Sequence, residues 1–195
     1  MEHDVRIDLL ARVARSAAVP GKPVDPAQPG SILSLAAASY GARPSDDATV
    51  PTGFDPLAVA LFEAIVEAAY LVASSDGVFD DAERRTFERV VVAACGGTVP
   101  PSQIAALVSD LADQLAEDGL ERRLEALARI VTKRDHALEV LRIAALLAQS
   151  SEDVSPVERD VLEALARRCG LEPGDVDTAL QDVREALASS GEFGS

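Results

Sequence analysis

The chain has 195 residues, enough for one ordinary domain plus an appendage. Hydrophobic residues make up 48% of it but aromatics only 4%, and Trp is absent, so the core must be aliphatic and suits packed helices better than a sheet. A net charge of -15 repels phosphate backbones and anionic headgroups, which argues against nucleic-acid binding and favours divalent cations or basic protein surfaces as partners.

Residues 1–17 predict a short helix, with Val5, Ile7, Leu9, Leu10 and Val13 recurring among charges. Met1-Glu2-His3-Asp4 lacks the basic and apolar regions of a signal peptide. Residues 18–54 read as a linker, because Pro20, Pro23, Pro26, Pro29, Pro44 and Pro51 punctuate a Ser/Gly/Ala-rich stretch. A linker of that length implies an appended N-terminal segment. Within it lies the apolar island Ser31-Ile32-Leu33-Ser34-Leu35-Ala36-Ala37-Ala38-Ser39-Tyr40. It reads either as a helical turn packed on the main domain or as a docking peptide for another protein.

Residues 55–188 form the expected main domain. Helices are predicted over 56–75, 81–95, 101–117, 120–132, 135–149, 156–168 and 175–188. Gly96-Gly97, Pro100-Pro101, Asp118-Gly119, Gly170 and Pro173-Gly174 mark the breaks. No segment alternates in the manner of a strand, so no sheet is expected. No apolar run of about 18 residues is read, so membrane insertion is not expected. Residues 189–195 read as a tail, and Gly191-Glu192-Phe193-Gly194-Ser195 looks like a cloning scar. Cys95 and Cys169 each precede a Gly at a helix end and lie in no CxxC motif. Small buried residues in a reducing, cytoplasmic setting are the expectation.

Two segments align at an offset of 75 residues, 69–84 with 144–159. Six of the sixteen positions are identical, among them Glu83-Arg84 and Glu158-Arg159. In each copy an apolar helix ends, an acidic turn follows, and a capped helix begins. The expected fold is therefore all-α: a compact bundle of about seven helices built from two repeated helical hairpins, plus the N-terminal helix and linker.

The acidic turns support two readings. In the first copy Asp80 can cap a helix with Glu83 three positions on; in the second, Ser155, Pro156 and Glu158 do the same. Both are capping boxes. Alternatively, Asp76, Asp80 and Glu83 meet at one turn and supply oxygen ligands to a hard divalent cation, with Gly77 permitting the tight bend. Asp153 and Glu158 are the corresponding candidates in the second copy. The turn is not an EF-hand: counting from Asp76, Val78 stands third, Asp81 sixth and Phe87 twelfth.

The pattern Ala-x-Leu-Val-Ala-x-x-Asp-Gly-x-Phe-x-x-x-Glu at 69–83, its echo at 144–158, and Arg-Arg-Cys-Gly-Leu at 167–171 resemble the TerB family of tellurite-resistance-associated proteins. That family includes the TerB-like domain of some membrane-anchored DnaJ co-chaperones. The resemblance covers roughly 55–188 and implies a seven-helix bundle of two repeated halves. It further implies a stress-related or assembly role, protein partners, and a divalent cation such as Ca, Mg or Zn held by clustered acids. Its Asp-Gly and Glu positions fall on Asp76, Gly77 and Glu83; in the second copy Glu158 matches, while Ser151-Glu152 replaces the Asp-Gly.

The expected function is a non-enzymatic acidic interaction domain that engages protein partners, with residues 1–54 as a tether or docking element. The alternative is a carboxylate-only metal-dependent enzyme. His3 and His136 are the only histidines and neither adjoins an acidic turn. No phosphate loop, nucleophile elbow or HExxH motif occurs. No His-Pro-Asp tripeptide occurs either, so J-domain activity does not reside in this chain.

Overall fold

A computed structural model describes residues 2–15, 31–42, 55–77, 79–148 and 154–191. Among them the structure is all-helical, with α1 (Glu2–Arg15), α2 (Ile32–Gly41), α3 (Pro56–Ala73), α4 (Asp81–Ala94), α5 (Pro101–Asp118), α6 (Leu120–Ile130), α7 (Arg134–Ala148), α8 (Pro156–Arg168) and α9 (Gly174–Gly191). The seven helices expected over 55–188 are α3 to α9. The last runs on to Gly191, so it takes in part of the expected tail.

The two apolar helices of the repeat, α3 and α7, cross at the centre and pack on each other more extensively than any other pair. Each is covered on nearly every side. Twelve residues of α3 and eleven of α7 are buried, so both helices are inside the bundle over most of their surface. Their hairpin partners are amphipathic. α4 turns Phe87, Val90, Val91 and Ala94 inward, and α8 turns Val161, Leu162, Leu165 and Ala166 inward. The α5–α6 pair closes one side against α3 and α8, and α9 packs along α7.

α3 corrects one expectation. It is 18 residues long with mean hydropathy 1.8, enough to cross a membrane by length and composition, although no such run was expected. Its apolar faces are used otherwise: 67% of it is buried inside the bundle.

The N-terminal region also differs from expectation. Part of the stretch read as an 18–54 linker is helical, since residues 32–41 form α2. Proline density hid it, yet no proline lies between Pro29 and Pro44. Ser31 caps it by accepting a hydrogen bond from the Ser34 N–H. Leu33, Ala36, Ala37 and Tyr40 are buried, and the Tyr40 ring lies 4.6 Å from that of Phe62 on α3. Of the two readings of the island, packing on the main domain is the one seen. At the far end of α2, Gly41 presses on the backbone after α4. A Cβ there would lie 2.0 Å from the Thr98 carbonyl oxygen.

α1 joins the same core rather than standing apart. Ile7, Leu10, Val13 and Ala14 are buried with residues of α2 to α9 in one cluster.

Candidate functional site

The first acidic turn is built from its ends inward. At the end of α3, the Ser74 hydroxyl donates to the Tyr70 carbonyl at 2.8 Å and the Ser75 hydroxyl to the Val72 carbonyl at 2.7 Å. Each hydroxyl adds a second bond to a carbonyl that already accepts from the same residue's N–H, at 2.9 and 3.1 Å. Gly77 then adopts φ +85°, the left-handed conformation anticipated for this glycine. At the start of α4, Asp80 Oδ1 accepts from the backbone N–H groups of Ala82 at 2.7 Å and Glu83 at 2.9 Å. Glu83 Oε2 accepts from the Asp80 N–H at 3.1 Å, completing the capping box. These backbone bonds, led by that from Glu83, hold the Asp80 carboxyl below the usual carboxylate range.

An aromatic triad supports the turn from below. Phe79 lies edge-on to Tyr70, with centroids 5.2 Å apart, and edge-on to Phe87 at 5.9 Å. Burial pushes the Tyr70 hydroxyl above its ordinary pKa, with Arg84 opposing the shift and Asp113 of α5 adding to it. Asp76, Asp80, Asp81 and Glu83 are all exposed.

The second turn repeats the capping and not the rest. Ser155 Oγ accepts from the Glu158 N–H at 3.2 Å, and Glu158 Oε2 accepts from the Ser155 N–H at 2.7 Å. The positions equivalent to Tyr70, Phe79 and Phe87 are Ala145, Val154 and Leu162, so aliphatic residues replace the triad of the first copy. Asp153 and the replaced Ser151-Glu152 pair lie outside the described residues. One step along each capped helix, Arg84 pairs with Glu88 at 3.0 Å and Arg159 with Glu163 at 3.1 Å, again at the 75-residue offset.

The cation reading can be set against this geometry. Asp80 and Glu83 are committed to each other's backbone, each with one oxygen engaged. Among the described residues no group of three or more His, Cys, Asp or Glu side chains is gathered so as to hold a metal ion. Capping is thus the role these two carboxylates are seen to perform.

The remaining candidates have structural surroundings. Burial lifts the Cys95 thiol to about 12, and burial also raises Cys169, so neither is poised as a thiolate. His136 is half-buried on the first turn of α7, and its pKa is lowered, first by burial and then by Lys133.

Sequence reasoning missed two charged groups inside the central helices. Glu67 of α3 is 5% exposed and accepts from Arg123 Nε of α6 at 2.6 Å. Arg123 also reaches Asp118 at 3.1 Å, and the bond to Glu67 raises its pKa. Arg142 of α7 is 5% exposed and held by Glu139 at 2.8 and 3.0 Å. It also donates to the carbonyls of Val13 at 3.0 Å and Ala14 at 3.2 Å, at the end of α1. The available signal was positional. Glu67 and Arg142 are related by the repeat offset and interrupt otherwise apolar helices.

No family model matches the chain, and searches of curated proteins and of solved structures return no match either. The likeness to TerB proteins rests on residues 69–83, 144–158 and 167–171 alone.

Proposed function

We propose that this protein is a non-enzymatic interaction domain that presents an acidic surface, centred on the first turn, to basic surfaces of partner proteins in a stress-related or assembly complex. One observation carries the reading. Asp76, Asp80, Asp81 and Glu83 are exposed together on a turn held by a capping box above and an aromatic triad below. An exposed, charged feature of this kind suits electrostatic recognition of a partner. The role in stress or assembly follows the TerB resemblance.

A variant with Asp76→Asn, Asp81→Asn and Glu83→Gln tests it. The substitutions remove three charges and leave an acceptor at Glu83 for the capping box. Affinity capture with the wild type is expected to retrieve partners that the variant loses. Retrieval of the same proteins by both would refute the reading, as would metal-stimulated turnover in a broad hydrolase screen. Cation binding is the subsidiary part of the proposal. Addition of Ca, Mg or Zn should raise Tm by mass action in the wild type and not in Asp76→Ala. An unchanged Tm in both removes the cation and leaves the interaction surface.

A further inference from the structure

The internal repeat reaches further than its two hairpins. Asp4-Val5-Arg6-Ile7-Asp8-Leu9-Leu10-Ala11-Arg12-Val13 of α1 matches Glu121-Arg122-Arg123-Leu124-Glu125-Ala126-Leu127-Ala128-Arg129-Ile130 of α6. Four positions are identical, at Arg6, Leu10, Ala11 and Arg12, and four more exchange acid for acid or aliphatic for aliphatic. Ile7 and Leu10 are buried, and so are their counterparts Leu124 and Leu127. α5 and α9 match as well: Ile104, Val108 and Leu111 stand against Val176, Leu180 and Val183, all buried. With α3 matched to α7 and α4 to α8, the order α1-α3-α4-α5 is repeated as α6-α7-α8-α9. Among the described helices α2 has no counterpart, since only residues 131–133 separate α6 from α7.

Packing follows the same correspondence. α1 lies against α4, α9 and α7, and α6 lies against their counterparts α8, α5 and α3. Each first helix therefore spans both units and rests on the central helix of the other one. It is held there from one and the same position of the repeat: Glu67 of α3 holds α6, and Arg142 of α7 holds α1. The chemistry is reversed between the two. Glu67 is buried and accepts from Arg123. Arg142 is equally buried, so Arg6, the counterpart of Arg123, would meet a like charge there, and Arg6 is exposed. Glu139, where the first unit has Ala64, neutralises Arg142 from within α7, and Arg142 clamps the Val13 and Ala14 carbonyls. A buried charge persists only with a partner, and the two units supply that partner differently.

We propose that the chain is two copies of one four-helix unit joined in tandem, and that the α1 docking site retains a latent seat for Arg6, so that an acid at position 142 takes Arg6 as Glu67 takes Arg123. The surface between the units is one that meets its own copy, as in an isologous dimer, made unlike at a single buried position. The reversal at Arg142, with Glu139 as its counter-ion, frees the docking of α1 from any charge on α1 and leaves Arg6 at the surface. Docking of α6 still depends on Arg123. None of this rests on the acidic turn.

The test is made on full-length chains by thermal melts followed by circular dichroism. Glu139→Ala/Arg142→Glu gives the second unit the residues of the first. In that background Arg6→Met is expected to lower Tm by roughly 6–20 °C, the loss of a buried pair. In the wild type, where Arg6 is exposed, the same substitution is expected to cost at most about 4 °C. Equal losses in the two backgrounds overturn the proposal. Should Glu139→Ala/Arg142→Glu fail to fold, a rewritten α1 decides. Asp4→Glu, Val5→Arg, Ile7→Leu, Asp8→Glu, Leu9→Ala and Val13→Ile give α1 the α6 sequence in the matched register. That chain is expected to melt at least about 10 °C above one in which the same ten residues are entered one position out of register. Equal melting of the two means that α1 and α6 are not counterparts, and the proposal falls.

Discussion

Gly41→Ala separates helix propensity from tertiary packing, because the two predict opposite signs. Gly41 is the last residue of α2, and replacing a helical Gly by Ala ordinarily stabilises by about 1 kcal/mol. Here the new Cβ would stand 2.0 Å from the Thr98 carbonyl oxygen and 3.0 Å from the carbonyl carbon. Neither atom can rotate away as a side chain would. Thr98 is itself pinned, with its N–H and its hydroxyl both donating to the Cys95 carbonyl at 3.2 and 2.6 Å. Relief therefore requires the end of α2 to lift by more than an ångström, which pulls Tyr40 from its 4.6 Å stack on Phe62. Overpacking of this kind costs ~1–3 kcal/mol, and the aromatic contact adds ~0.5–1.5 kcal/mol. Allowing for the gain in propensity, the net loss is about 1–3 kcal/mol, or a Tm roughly 2–12 °C lower for a domain of this size. Urea unfolding followed by circular dichroism measures it. A variant as stable as the wild type, or more stable, would show that α2 does not press on the 95–99 backbone.

Three further outcomes follow from the same contacts. Ser155→Ala should destabilise by ~1 kcal/mol through loss of the α8 cap, while Ser155→Asp should be nearly neutral, since Asp80 performs that role in the first copy; thermal melts read both. Arg123→Met should cost ~3–5 kcal/mol by leaving Glu67 charged, buried and unpaired, and Glu67→Leu/Arg123→Met should recover most of it in a urea double-mutant cycle. Because backbone bonds favour the charged form of Asp80, its cap contributes fully above the ordinary carboxylate pKa and fades as the pH falls through the lowered folded value. The Tm of Asp80→Asn, which keeps the acceptor without the charge, should therefore fall less than that of the wild type when the pH is taken below about 4.

The hairpins, both capping boxes and the positive φ of Gly77 were legible because each is written within a few consecutive residues. The repeat marked Ala69-Tyr70-Leu71-Val72-Ala73 and Ala144-Ala145-Leu146-Leu147-Ala148 as apolar helix ends, and the structure places both helices at the centre. α2 was harder to see. A proline count over 18–54 averages across the proline-free interval that forms it, and its burial on Phe62 is a tertiary event. The apolar length of α3 was missed because Glu63 and Glu67 interrupt the run. Of the candidate site, Asp76, Asp80 and Glu83 do share one exposed turn, whereas the commitment of the last two to backbone N–H groups is a matter of angstroms that residue spacing cannot separate from ligand geometry. Where Arg142 reaches on α1 was hidden for a simpler reason: its acceptors there are backbone carbonyls, which every sequence possesses.

That clamp also sets an order of events during synthesis. Arg142 and the Val13 carbonyl it holds are 129 residues apart. At ~5–20 residues per second, Val13 is translated roughly 6–26 s before the arginine that closes the end of α1. The first helix made is then among the last to find its place, and through that interval its apolar stripe is open to whatever else in the cell can cover it.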